Sequence, residues 1–382
     1  MSDRLSVAGV TPGRVLAPAD RIELASIVRD LAAGGRTFAF VGGGTDLELG
    51  NPPRALDAVI RTTALDRVID YAPEDQTITV EAGMRLATLD TLLAQHEQLL
   101  PIDVGDRQNA TVCGAIATNA FGARRHRYGS IKDLIVGIEI VRPDGVTAHG
   151  GGKVVKNVAG FDLPKLMVGS LGTLGGIASA TLRVFPKPAV TRAVLARTAA
   201  DGALLRAALD DPSLEPSAVA HHPAQGGVVL TFAGSAASVD GQIAHFAALA
   251  ATHGDALEEL DRDALRRCEA AEAAVRGSGA WRWTTSTSIA RAQTLAQPAA
   301  TALEVGYPTF GVVLASAADD PSLDAFAAQR DSATVFRALP ARVRGTVDAW
   351  GEPPPAWRIM RALKHNFDPQ GLCNPGRFVG GL

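Results

Sequence analysis

Three loops of small residues in the first half of the chain constrain its fold most. The first, VGGGTDL (41–47), follows the apolar run TFAFV. The second, TVCGAIATNAFGARRHRYG, covers 111–129, and the third, KNVAGFDLPKLMVGSLGTLGGI, covers 156–177. Small residues let backbone N–H groups approach a ligand, and consecutive N–H groups can bind an anion. One such loop alone is typical of a turn or bulge, whereas three together predict one long phosphate-containing ligand.

The two commonest phosphate motifs do not fit these loops. A Rossmann fingerprint, G-x-G-x-x-G, opens a helix, but the first loop lacks the last glycine and is followed by two helix-breaking prolines. The segment GGGKVV (150–155) would need a glycine at Thr147 and a hydroxyl at Val154 to be a P-loop. The ligand must therefore bind in another way.

Composition narrows the class of protein. The chain has 382 residues, 47% hydrophobic and 20% charged, with a net charge of −3, so it is globular and nucleic acid is not expected as a partner. The first residues lack the pattern of a signal peptide, and no run approaches the roughly 20 apolar residues of a membrane helix. Three separated cysteines predict neither disulfides nor an iron–sulfur cluster. We expect a cytoplasmic protein with no membrane span of its own.

Two proline-rich junctions divide the chain. FPKPAV (185–190) closes the glycine-rich half, and GEPPPAW, which begins at Gly351, opens a short C-terminal segment. Helix-period and strand-period segments alternate without a regular βαβ rhythm, which predicts an α+β fold. No internal repeat is visible in the sequence. The C-terminal segment is too short to fold alone, so we expect it to pack on an earlier domain.

The three loops in this order resemble the FAD-binding domain of the vanillyl-alcohol oxidase type, also called PCMH-type. The tail DPQGLCNPGRF adds to this resemblance, and within the family the chain is similar to FAD-binding subunits of glycolate oxidases. The resemblance covers essentially the whole chain, most strongly 35–188 and 356–378. It implies a two-subdomain FAD-binding domain (1–188), an inserted α+β cap domain (189–352) and a C-terminal segment (353–382) that completes the FAD domain.

The resemblance also implies the cofactor-binding residues. Backbone amides that hold the pyrophosphate are expected at Gly42, Gly43, Gly44 and Thr45. Residues along the flavin and its diphosphate are expected at Thr111, Gly114, Ala117, Thr118, Asn119 and Gly122. Residues along the ribose and adenine are expected at Gly172, Gly175 and Ile177. The isoalloxazine end is expected at Asn374, Gly376 and Arg377, and Asp46, Asp103, Tyr128 and Gly129 complete the predicted site.

Two departures from the family pattern affect the flavin. Cys113 stands where the family often has a second glycine, and a thiol there can crowd or tune the flavin. We expect it to pack harmlessly, because a small thiol behaves as a small hydrophobe. The first loop lacks the histidine with which some relatives tether FAD, so non-covalent FAD is expected.

Catalytic residues are not assigned by the sequence. Oxidation of a 2-hydroxy acid needs a cation for the carboxylate and a base for the hydroxyl proton. HGDALEEL, from His253, begins like the family's H-x-G-D-G-N-x-H metal motif but lacks its asparagine and second histidine. His221 and His222 point apart on a strand, so no metal site is expected. Arg124, Arg125 and Arg127 fit a carboxylate clamp, a phosphate contact or a partner surface, and equally a solvated, salt-bridged loop.

The resemblance implies a subunit of a multi-subunit glycolate oxidase that oxidises glycolate to glyoxylate. This chain would relay electrons or support the complex beside a catalytic FAD subunit and an iron–sulfur subunit, with a small 2-hydroxy acid as the substrate of the complex. Those partners can hold it at the inner membrane. One alternative is a self-sufficient FAD-linked dehydrogenase of the D-lactate type. Another is a non-catalytic scaffold with structural FAD.

Overall fold

Residues 5–152, 162–198, 202–286, 303–329 and 333–382 are described by a computed structural model. The strands among them are β1 Arg14–Leu16, β2 Phe38–Val41, β3 Ala58–Arg61, β4 Val68–Ala72, β5 Thr77–Glu81, β6 Gln98–Leu99, β7 Ile135–Val141, β8 Thr147–Gly151, β9 Gly176–Arg183, β10 Phe185–Pro186, β11 Val190–Ala196, β12 Ala218–His222, β13 Gly227–Gly234, β14 Leu257–Leu260, β15 Trp281–Ser286, β16 Leu303–Tyr307, β17 Val312–Ala317 and β18 Thr334–Ala338. The helices are α1 Arg21–Ala33, α2 Leu86–Ala94, α3 Val112–Ala117, α4 Arg125–Tyr128, α5 Ile131–Leu134, α6 Leu163–Met167, α7 Ala203–Asp210, α8 Ala236–His253, α9 Arg262–Gly277, α10 Leu323–Gln329 and α11 Trp357–Phe367. This mixture confirms the predicted α+β class.

The N-terminal half contains a parallel and an antiparallel sheet. The parallel sheet has the order β1-β3-β2, and the antiparallel sheet has the order β4-β5-β9-β7-β8. Helix α1 begins where the Asp20 carboxylate accepts hydrogen bonds from the N–H groups of Ile22 and Glu23. Its buried stripe of Leu24, Val28 and Leu31 packs in one core with strand residues of the parallel sheet. Because β2 ends at Val41, this core fixes where the first glycine loop begins.

A larger core underlies the second and third glycine loops. The leucines Leu86, Leu89 and Leu93 of α2 are fully buried and pack with Val112 and Ile116 of α3. The same cluster includes residues of β5, β7 and β9. The second loop therefore starts from a short helix that is anchored on a sheet.

The strands from 190 to 338 form one antiparallel sheet of eight strands. Its order is β14-β11-β13-β12-β16-β17-β15-β18. Read from the outer edge of the sheet toward its middle, each half has its fourth strand first, followed by its first, third and second strands. The halves meet where His221 of β12 pairs with Gly306 of β16. Each half also has a 3-10 turn that begins with proline, Pro223–Gln225 and Pro308–Phe310. The strand order thus repeats within this sheet, although no internal repeat is visible in the sequence.

The C-terminal segment returns to the parallel sheet of the first half. Phe38 donates its N–H to the Leu372 carbonyl oxygen at 2.9 Å, and Asn374 donates its N–H to the Phe38 carbonyl oxygen at 2.6 Å. The tail thereby covers the edge of β2 next to the first glycine loop. Residues that are far apart in sequence thus meet at one groove.

Candidate cofactor site

A groove runs between the three loops and the C-terminal tail. The predicted site residues that line it are Gly42, Gly43, Gly44, Thr45, Asp46, Thr111, Gly114, Ala117, Thr118, Gly172, Gly175, Ile177, Asn374 and Arg377. They come from four separate segments of the chain. Residues 156–161 of the third loop lie outside the described residues.

The glycines of the first loop let it pack closely on the second. A Cβ atom on Gly43 would lie 1.7 Å from the Asn109 carbonyl oxygen, and one on Gly42 would lie 2.2 Å from Thr111 Oγ1. Gly44 has a φ of 78°, in the region that favours glycine. These positions are therefore constrained by packing between loops as well as by any ligand.

Four consecutive amides of the first loop are free to bind a ligand. The N–H groups of Gly42, Gly43, Gly44 and Thr45 donate no hydrogen bond to any residue that the structure describes. Successive N–H groups without protein acceptors form a concave anion-binding site. This loop fits the pyrophosphate of a dinucleotide.

The second loop is held rigidly by its own hydrogen bonds. Thr111 caps α3, and its Oγ1 accepts a hydrogen bond from the Gly114 N–H at 3.2 Å. Thr118 Oγ1 donates to the Gly114 carbonyl oxygen at 3.0 Å. Cys113 borders the groove and also belongs to the core under it, where burial raises the pKa of its thiol. Burial therefore keeps this thiol neutral, which agrees with a packing role.

The tail contributes an acceptor without a protein partner. Asn374 has a φ of 49°, and its Nδ2 donates to the Leu171 carbonyl oxygen at 2.6 Å. Its Oδ1 is buried and accepts no hydrogen bond from the described part of the chain. Native proteins leave few buried polar atoms unsatisfied, so this oxygen fits a ligand donor in the groove.

Arg377 ties the tail to the first loop. Its guanidinium donates to the carbonyl oxygens of Leu47, at 2.9 Å, and Leu49. Burial lowers the pKa of Arg377 to about 10, and its Nε has no partner. The tail thus fixes the backbone just after the free amides.

Six predicted residues do not line the groove. Gly122 is pressed against Asp103, since a Cβ atom there would lie 2.4 Å from Asp103 Cβ. Asp103 instead pairs with Arg124, whose N–H and Nε donate to its carboxylate at 3.0 and 2.8 Å. The carboxylate thus fixes the second loop.

The other four predicted residues outside the groove either adopt turn conformations or pack elsewhere. Tyr128 contacts the Phe185 ring edge-on, with 5.0 Å between the ring centroids. Asn119, Gly129 and Gly376 have φ values of 50°, 80° and 89°. Their conformations shape the loops around the groove.

The arginines of the second loop connect the two halves of the molecule. Arg125 lies over the Phe310 ring, 4.7 Å from its centroid, and Arg127 pairs with Glu215 at 3.0 Å. Both of these partners belong to the segment that forms the eight-stranded sheet. The run is therefore salt-bridged, as one of the sequence interpretations had it.

A cavity of about 420 Å³ lies between the eight-stranded sheet, α9 and the first half of the chain. Two side chains, those of Tyr307 and His222, lie next to the Glu272 carboxylate of α9. Tyr307 donates its hydroxyl to Glu272 Oε2 at 2.9 Å, and His222 Nε2 lies 3.6 Å from Oε1. His222 and Tyr307 occupy matching positions in the duplicated sheet, each directly before a proline turn.

Arg276 completes this buried group. It donates to the Tyr307 hydroxyl and, at 3.1 Å, to the Phe121 carbonyl oxygen of the second loop. Burial raises the pKa of Tyr307 well above its usual value, so the phenol stays protonated. Glu272, Arg276 and Tyr307 were not predicted as site residues from the sequence; the spacing of four between Glu272 and Arg276, as in a helical ion pair, is the one local signal they leave.

The described residues contain neither a group of metal ligands nor a membrane-spanning helix. Among them, no three His, Cys, Asp or Glu side chains are grouped as metal ligands. No helix within the described ranges is long and apolar enough to cross a membrane.

The comparisons with known proteins agree with the interpretation of this groove as a cofactor site. Residues 12–151 match the family model described as FAD binding domain. A solved structure of alkyldihydroxyacetonephosphate synthase superposes with a TM-score of 0.70 at 17% identity, over 94% of this chain and 75% of that one. The chain therefore contains an FAD-binding domain and has the PCMH-type fold.

Curated relatives carry the names of 2-hydroxy-acid oxidases and dehydrogenases. Glycolate oxidase subunit GlcE of Escherichia coli is 37% identical over 122 residues, which are 32% of this chain and 35% of that protein. Subunit GlcD of Bacillus subtilis is 33% identical over 187 residues, 48% of this chain and 39% of GlcD. D-2-hydroxyglutarate dehydrogenase of Xanthomonas citri is 32% identical over 184 residues, 48% of this chain and 39% of the enzyme. The chain spans less than half the length of each of these relatives.

Proposed function

We propose that this protein is the FAD-binding subunit, GlcE, of a multi-subunit glycolate oxidase, an oxidoreductase acting on the CH–OH group of a 2-hydroxy acid. The observation that carries the proposal is the 37% identity with a protein named as such a subunit. The proposed partners are a catalytic FAD subunit and an iron–sulfur subunit, through which the chain would lie at the inner membrane. Its three cysteines are buried and separate, so electrons would leave through a partner.

We further propose that the FAD is held non-covalently in the groove. The free amides of Gly42 to Thr45 would take the pyrophosphate, and Asn374 Oδ1 would accept from the cofactor. Bound there, FAD supplies a two-electron acceptor. The absence of a histidine from the first loop supports non-covalent binding.

The division into domains is part of the same proposal. Residues 1–188 would form the FAD domain, 189–352 the cap domain and 353–382 the segment that completes the FAD domain. The sheets support these limits, because the eight-stranded sheet takes its strands from 190–338 alone, within the described residues.

A second candidate function is favoured by the 420 Å³ cavity. A self-sufficient 2-hydroxy-acid dehydrogenase needs a cation for the carboxylate and a base for the hydroxyl proton. Arg124 and Arg276 border the cavity, and His222 lies in it beside Glu272. His222 would act as the base, and the Glu272 carboxylate, 3.6 Å from its Nε2, would orient the imidazole.

Turnover of the purified chain separates the candidates. The chain is loaded with FAD and given glycolate or D-lactate with a dye acceptor, alone and together with the other two subunits. The subunit proposal predicts turnover only with the partners and reduction of this chain's flavin under those conditions.

Two results would contradict it. Rapid turnover by the isolated chain would establish the self-sufficient enzyme, and loss of that activity in His222→Gln would then assign the base. A flavin that stays oxidised in the active complex would leave this chain as a scaffold.

A further inference from the structure

Four arginines converge on the first glycine loop from other parts of the chain. Arg282 comes from β15, Arg337 from β18, Arg344 from the loop after β18, and Arg377 from the C-terminal tail. They surround the carboxylates of Asp46, which lies in the loop, and of Glu48, directly after it, and we call these six charged groups together the arginine cluster. Its six charged groups are Arg282, Arg337, Arg344, Arg377, Asp46 and Glu48.

Two of the arginines form direct ion pairs with the loop. Arg337 Nη2 lies 3.2 Å from Asp46 Oδ1, and Arg344 pairs with Glu48. Burial lowers the pKa of Arg282 and of Arg377, and the nearby carboxylates of Asp46 and Glu48 oppose that shift. The first loop is thus held by both the tail and the eight-stranded sheet.

The charges of the cluster do not balance. Four guanidinium groups face two carboxylates, so two positive charges remain uncompensated. Arg282 and Arg377 are 7% and 3% exposed, and the side chains of Arg337 and Arg344 are 13% and 20% exposed. Arg282, Arg344 and Arg377 also donate to backbone carbonyl oxygens, which satisfy part of each guanidinium group but carry no full negative charge. Burial of unpaired charge is costly, so an anion bound beside the cluster would be favoured.

Several N–H donors of the cluster are also unused. The Nε atoms of Arg282, Arg337 and Arg377 are buried and have no hydrogen-bond partner among the residues that the structure describes. Arg337 borders a small space with Thr45, Asp46, Asp103 and Asp106, and the first two of these residues also line the cofactor groove. The free amides of the first loop face the same groove.

We propose that the arginine cluster neutralises the two negative charges of the FAD diphosphate, with Arg337 as the donor supplied by the eight-stranded sheet. The eight-stranded sheet, which lies outside the matched residues 12–151, then contributes to the affinity for FAD. The proposal depends on FAD binding and not on the 2-hydroxy-acid activity, so it stands or falls without turnover.

Flavin binding by the apoprotein tests this role directly. The dissociation constants of FAD and riboflavin are measured by fluorescence quenching, since riboflavin has no phosphate. Arg337→Gln is expected to weaken FAD by about tenfold or more, because a charge-assisted contact is lost, and to leave riboflavin unchanged. Arg337→Lys keeps the charge and should restore part of the affinity. Arg197→Gln, at an exposed pair with Glu258, is the matched control.

Asp46→Asn gives a result of opposite sign. It removes the carboxylate that competes for Arg337, so FAD should bind more tightly. A purely structural Arg337–Asp46 pair instead predicts that both variants weaken FAD and riboflavin alike, which would overturn the proposal. Oxalate, a dicarboxylate, reports on carboxylate binding near the flavin. If Arg337→Gln leaves FAD affinity unchanged but weakens the change that oxalate causes in the flavin spectrum, the cluster would bind a substrate carboxylate. That result would also overturn the proposal.

Discussion

Gly43 has the least space of the residues in the first loop. An added Cβ would meet the Asn109 carbonyl oxygen at 1.7 Å, and neither backbone can move without displacing the second loop. Gly43→Ala should therefore destabilise the fold by about 1–3 kcal/mol, as overpacking does, and lower the flavin content. Thermal unfolding and the flavin-to-protein absorbance ratio measure both effects.

Gly241→Ala is the control for this change. Gly241 lies in α8 with no atom within 4 Å of an added Cβ, so alanine should stabilise the helix by about 1 kcal/mol. If Gly43→Ala were as stable and as yellow as the parent protein, the close packing of the two loops would be wrong.

At the residue scale, most residues of the cofactor groove could be predicted from the sequence, whereas the residues around the 420 Å³ cavity could not. Glycines, Thr111 and Asn374 leave a signal because backbone conformation and capping restrict the residue type. Glu272 and Tyr307 leave none, since their meeting depends on how α9 crosses the sheet. The placement of Asp103 against Arg124 likewise depends on a contact across 21 positions.

Among the elements, helix α11 shows how the tail is fixed to the third loop. Lys364 is 8% exposed and donates from Nζ to the carbonyl oxygens of Thr173, at 2.8 Å, and Cys373, at 2.9 Å. It also pairs with Asp368 at 2.6 Å, and Asp368 accepts the N–H groups of Leu372 and Cys373. One buried ion pair therefore organises the turn before Asn374.

Lys364→Met should cost about 3–5 kcal/mol, because it leaves the Asp368 carboxylate buried without its cation. Chemical denaturation measures the free energy of unfolding, and FAD affinity should fall with it as the tail loosens. Lys132→Met removes an exposed lysine and should change stability by less than about 0.5 kcal/mol. Equal effects of the two variants would contradict the anchoring role.

Element prediction succeeded where an apolar pattern is strong. The spacing of Leu24, Val28 and Leu31 predicts a helix over 20–33, which is α1, and the apolar run GVVLTFAG predicts a strand, which is β13. Helix α9 was not predicted because Cys268 and Val275 are its only fully buried residues, too few for a clear helical stripe. The duplicated order of the eight-stranded sheet was missed because pairing between distant strands is not encoded locally.

On the scale of the whole molecule, the cofactor groove depends on both halves of the chain. The second loop contacts a turn and a loop of the eight-stranded segment through Arg125 and Arg127, and the first loop contacts its strand β18 through Asp46. FAD should therefore stabilise the entire protein, by about 2.7 kcal/mol when free FAD is 100 times its dissociation constant. Thermal unfolding with and without added FAD measures this gain, and a melting temperature unaffected by FAD would contradict the coupling.

The most direct measurement is the flavin content of the purified chain before and after acid precipitation. We expect a yellow protein with about one flavin per chain, and all of the flavin in the supernatant, identified as FAD by chromatography. A colourless protein that binds no added FAD would contradict the cofactor site. Colour that stays with the precipitate would contradict the proposal of non-covalent binding.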